Sequence, residues 1–150
     1  MRLILTLVLI TIAVGFGHSP DSRSADTSPP ARAKWLDLHE TGVGHTYIEP
    51  TTVREDPSSK YRRVWMLMDL QKPQDGGHSI KALQEFDCRN ERTRVLFLIL
   101  HSEPMGVGSA LRSTRPEGEE ANWIPIPPDS SVKIASKLVC SFPSVPIQER

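Results

Sequence analysis

Two cysteines, five histidines and a few closely spaced carboxylates are the side chains in this 150-residue chain best suited to chemistry. Cys88 and Cys140 are its only cysteines. In an oxidising compartment such a pair persists as a disulfide. A bridge would close a loop of about 50 residues and contribute roughly 4 kcal/mol through loop entropy. The other reading, a reactive thiol, needs a base or basic cluster close by. The sequence offers only Arg89 beside Cys88.

The histidines are His18, His39, His45, His78 and His101, and none has HxH or HxxxH spacing. His39 and His45 flank a glycine turn and can meet across a hairpin as a surface pair. His101 adjoins Ser102, but neighbours on a strand exit point apart, and no nucleophile-elbow motif or orienting third group accompanies them. Glu85 and Asp87 are two apart and share one side of a strand. Cross-strand pairing with Arg62, Arg92 or Arg94 is a simpler role for them than acid–base work. Glu117, Glu119 and Glu120 lie in a loop that nothing makes converge on calcium. Gly106 and Gly108 lack the strand–loop–helix setting and the Lys-Ser/Thr ending of a phosphate loop, and mark a bend instead. No catalytic residue, metal ligand or cofactor is therefore expected.

The aromatic residues point to binding. Trp65 is expected in the core. Trp123 stands beside Ile124, Pro125, Ile126, Pro127 and Pro128, a more open setting. With Met105 it gives a candidate binding face of Trp123, Ile124 and Met105. The alternative is that this stretch seals the sheet edge beside a helix.

These residues need elements to position them. Trp35, Leu38, Tyr47 and Ile48 fit two short strands around the Gly42–Gly44 turn. Residues 54–61 and 71–78 read as loops by composition. Between them, 62–70 reads as a strand, with Val64, Met66 and Met68 on one side and Trp65, Leu67 and Asp69 on the other. Both sides are largely apolar, so the strand is central or covered on both faces. Ser79–Cys88 fits a strand better than a short helix, with residues 89–92 as a tight turn into the strand 93–100. A further strand covers 109–113, a loop 114–121 and a short extended piece 123–126. Asp129 or Ser130 caps a helix that runs to about Cys140. Its apolar side carries Ile134, Ala135 and Leu138. The expected fold is α+β: an antiparallel β-sheet of five or six strands, a C-terminal helix packed on it and one disulfide.

The front of the chain addresses its location. Arg2 precedes the uncharged apolar run LILTLVLITIAV, which is shorter than the roughly 20 residues of a spanning helix. Small and polar residues follow, the layout of a signal peptide over 1–17, with a second candidate cut near Ser24–Ala25. Residues 18–33 read as a flexible leader, 34–140 as the folded domain and 141–150 as a tail. The full chain has formal net charge 0, and loss of residues 1–17 removes Arg2 and leaves about −1. Such a charge exerts no pull toward nucleic acid. No cysteine lies near the expected cleavage site for lipid attachment. Periplasm or secretion is therefore favoured over anchoring at the outer surface, with no integral span after cleavage.

The strings VWMLMDL, QKPQ and SIKALQEFDC, then ERTRVLFL and HSEPMGVGSAL, then WIPIPPDSSV and the final VC occur in an order that resembles the surface-adhesin protein E-like domain of bacterial exported proteins. The resemblance runs from about Trp35 to Cys140. It implies an antiparallel sheet with a C-terminal helix, and paired cysteines at Cys88 and Cys140. It further implies an exported non-enzymatic binding or envelope-associated protein; the sequence does not name its partner, for which an envelope or host extracellular-matrix protein is the candidate class. The alternative from the residues alone is a small periplasmic enzyme, or a metal- or small-ligand-binding protein, with an unrecognised site.

Overall fold

A computed structural model describes residues 35–143. The expected signal segment and leader lie outside the described residues, as does the tail from 144 onward. Alternating sequence patterns produce an antiparallel sheet. Its strands are β1 (Leu36–Thr41), β2 (Gly44–Ile48), β3 (Arg54–Glu55), β4 (Arg62–Gln74), β5 (Gly77–Asp87), β6 (Arg92–His101), β7 (Ala110–Thr114) and β8 (Ile124–Pro125). The spatial order is β1-β2-β4-β5-β6-β7, with β3 beside β4 and β8 beside β6. One helix, α1 (Ser131–Ser141), follows. Six main strands, one helix and one disulfide are the expected architecture.

The segment 71–78 departs from its expected loop. Strand β4 continues to Gln74, and β5 begins at Gly77, so only Asp75 and Gly76 turn. Their φ angles are 49° and 77°. Two positive φ values are what a tight, right-twisted hairpin requires, and Asp-Gly supplies them with little strain. Residues 54–55, also expected in a loop, pair with Arg63 and Arg62.

The turn after β5 is held by Asp87. Its carboxylate accepts the backbone N–H groups of Arg89 and Asn90, the Asn90 amide at 2.7 Å and Arg92 at 2.8 Å. Burial works against the charged form of Asp87, but the bonds from Asn90, Arg92 and the backbone prevail and hold its pKa below the usual carboxylate value. At the β1–β2 turn, Gly44 lies so close to β4 that a Cβ would collide with the Asp69 carbonyl oxygen.

Helix α1 starts where Ser130 accepts the Lys133 N–H at 3.1 Å, a side-chain N-cap. At the other end, Arg62 donates to the carbonyls of Val139 and Phe142, each at 2.7 Å, and satisfies acceptors the helix leaves open. Ala135, Ser136 and Val139 are buried against the sheet. Ile134, expected on that side, is 37 % exposed. Ala135 and Leu138 do pack on the core, and Val132 and Val139 complete the contact stripe in place of Ile134 at helical spacing. These residues cover Ile48, Val53, Val64, Met66 and Phe86. Full burial of each such large apolar side chain contributes about 1.5–3 kcal/mol. The Cys88–Cys140 bridge, Cα to Cα 5.8 Å, fastens the helix to the end of β5.

Because side chains alternate across a strand, the helix covers only the Val64 and Met66 side of β4. Trp65 projects from the opposite face and is half-buried, not in the core.

Candidate binding face

Strand register assembles the face that α1 leaves open. Trp65 lies opposite Leu83, Leu67 opposite Lys81, and Arg63 opposite Glu85 on β5. On β6, Leu83 pairs with Phe97 and Glu85 with Arg94. The result is a strip of aromatic and aliphatic side chains crossed by cations.

At its centre, Lys81 Nζ stands 5.4 Å from the Trp65 ring centroid and 5.8 Å from that of Trp35. The Trp65 and Phe97 rings meet edge to face with centroids 6.4 Å apart. Arg115 lies over the other flank of Phe97 at 5.6 Å. The Lys81 and Arg115 contacts each place a cation near the electron-rich face of a ring. Among the described residues, Lys81 has no carboxylate within ion-pair distance.

Below this strip, Glu85 is fully buried. Its carboxylate receives Arg63 Nε at 2.7 Å and Arg94 Nε at 2.7 Å. The two guanidiniums neutralise it and hold each other's geometry.

The three expected binding residues do not meet. Trp123 lies at one end, half-buried, with Arg94 4.6 Å from its ring centroid and Tyr61 edge-on at 4.7 Å. Met105 lies at the other end, where its N–H donates to Asp69 and the N–H of Gly106 donates to Ser79 Oγ at 2.9 Å. From the level of Arg63 to that of Asp69 is six residues, about 20 Å along a strand. Ile124 is 54 % exposed on β8, opposite Thr93. Trp123 and Met105 thus bracket the strip, while its centre consists of Trp35, Trp65, Lys81, Phe97 and Arg115. Reading β4, β5 and β6 together at period two signals Trp65, Lys81 and Phe97 on one face. Nothing local to the sequence places Trp35 or Arg115 there.

The chemical candidates disperse. His39 pairs with Thr46 and Glu40 with His45, so the two histidines fall on opposite faces of the hairpin. His45 instead contacts Asp37 at 3.1 Å. Ser102 Oγ accepts the Ser109 N–H, away from His101. Burial, followed by the nearby Lys81 charge, lowers the His101 pKa, against an opposing pull from the backbone at Gly108 and Val107. Glu117 lies beside a short turn that carries Glu119 and Glu120, all solvent-facing. Among the described residues, no three metal-ligating side chains converge.

The model of the family described as surface-adhesin protein E matches residues 35–141. The chain belongs to this family. Its fold is similar to three solved structures of Haemophilus influenzae protein E. One shares 15 % identity at a TM-score of 0.58, covering 73 % of this chain and 86 % of that one. A second crystal form gives 16 % and 0.56, covering 76 % and 94 %. A structure from the non-typeable organism gives 16 % and 0.54, covering 73 % and 77 %. No curated protein matches the chain. The adhesin-E membership supports an exported, non-enzymatic protein. No helix among the described residues is long and apolar enough to cross a membrane.

Proposed function

We propose that this adhesin-E-type protein holds an envelope or host extracellular-matrix protein against its open sheet face. The observation that carries this reading is the Trp35–Lys81–Trp65–Phe97–Arg115 strip. Aromatic residues and arginine are enriched in protein interfaces because they bury large areas with few rotamers to freeze. Edge-on rings and stacked cations stiffen the strip before any partner arrives, which lowers the ordering cost of binding. Trp123 at one end and Met105 at the other form its rim. Export through the apolar segment 1–17 delivers the chain to the periplasm or beyond, where the disulfide forms. Absence of a cysteine near that segment favours a periplasmic or secreted form over a lipid-anchored one. Capture by the immobilised, processed protein tests the reading, with envelope extract and a panel of purified host matrix proteins as the two arms. Saturable capture in one arm assigns the partner class. Failure in both arms removes the protein-binding reading.

A further inference from the structure

The face that carries α1 holds a second feature, independent of the open face. The helix covers only part of it. Beside the first turn of α1, an apolar cleft of about 250 Å³ remains between sheet and helix. Met66, Met68, Ile80, Ala82, Leu98 and Val132 line it. A neighbouring recess of about 240 Å³ shares Ile80 and Leu98 and extends the groove toward Leu100 and Arg112.

One polar group in the wall is out of place. Thr46 is 3 % exposed, and its hydroxyl has no hydrogen-bond partner among the described residues. A buried hydroxyl left unpaired costs about 1–3 kcal/mol, so buried polar atoms are nearly always satisfied. Ser131 and Val132, the first residues of the helix, line the same cleft. A helix N-terminus adds unpaired N–H groups and a positive field that favours an anion.

The geometry points to a binding site for a single-chain fatty acid. Its carboxylate accepts the Thr46 hydroxyl beside the first turn of α1, and its alkyl chain runs along Met68, Ile80 and Leu98 toward the second recess. The volume is suitable: a dry cavity of about 150 Å³ already takes benzene. The chemistry also agrees, because the cleft walls are apolar apart from Thr46 and Ser131 at the head end and Gln84, whose amide is bonded to Thr93, while Gln74, Asp75, Arg112 and Thr114 line only the second recess. Met66 and Met68 adapt to a flexible chain at little cost.

The test uses dodecanoic acid as probe and the processed protein purified after export. Calorimetry should show saturable one-to-one binding, and NMR should show shifts at the Met66, Met68 and Ala82 methyls. Thr46→Val keeps shape and removes the hydroxyl, and should weaken dodecanoate roughly tenfold. It should leave 1-dodecanol within about twofold, because the neutral alcohol gains less from that bond. Ala82→Phe fills the cleft and should abolish binding of both probes. Should Ala82→Phe misfold, the Thr46→Val comparison and the methyl shifts decide. Absence of saturable binding, shifts centred on Trp65 and Phe97, or equal dodecanoate affinity for Thr46→Val would each overturn the assignment.

Discussion

Glu85 and Arg94 face one another across β5 and β6, and the fully buried Glu85 carboxylate receives Arg94 Nε at 2.7 Å and Nη2 at 2.6 Å. Arg63 closes the other side at 2.7 Å. This clamp joins three central strands beneath the open face, and through Arg94 it supports the Trp123 ring.

Removing the carboxylate should therefore destabilise the fold. Breaking a buried pair usually costs about 3–5 kcal/mol. Here the arginine side chains are 35 % and 31 % exposed and recover hydration, which lowers the cost. Glu85→Ala should lose about 2 kcal/mol in urea unfolding, scaled down from the buried-pair range. An unchanged midpoint would show that the clamp adds no net stability.

The Cys88–Cys140 bridge spans 52 positions. Restricting a loop of that length should stabilise the oxidised protein by about 4 kcal/mol. The double Cys88→Ser, Cys140→Ser variant should unfold at correspondingly lower urea. Reductant should shift the wild type to the same midpoint and leave the variant unmoved. Equal midpoints for oxidised wild type and variant would contradict this.

His101 makes stability depend on pH. Burial and Lys81 lower its folded pKa from 6.5, so the unfolded chain binds the proton more readily. Stability rises with pH wherever the unfolded state holds more protons. The contribution is complete above about 6.5 and declines as pH falls from there toward the lowered folded value. Asp87 acts in a separate, more acidic window, because its folded pKa lies below 3.8. Urea midpoints should fall between pH 7.5 and 5.5 in the wild type, and less so in His101→Gln. Parallel curves would exclude His101 as the cause.

Much of the sheet was legible because strand alternation and capping are local signals. The period-two runs at 62–70 and 93–100 became β4 and β6, and Ser130 caps α1. The Asp75–Gly76 hairpin was hidden by the polar, proline-containing composition around it, although Asp-Gly is itself a strong turn signal. Trp65 was misplaced because alternation separates two faces without saying which one the helix covers. The candidate binding strip was the least legible part. Trp35, Lys81, Phe97 and Arg115 are far apart in sequence, and only strand order and register bring them together.

The most direct test of the open face compares three processed proteins against the captured envelope or matrix protein by surface plasmon resonance. They are the wild type, the paired variant Trp65→Ala with Lys81→Glu, and Ile134→Glu on the exposed side of α1. Losing a ring and reversing a central charge should weaken binding at least a hundredfold, about 2.7 kcal/mol or more. Ile134→Glu should bind like the wild type. Equal affinity in all three would show that the partner binds elsewhere, and loss only in Ile134→Glu would move the interface to the helix.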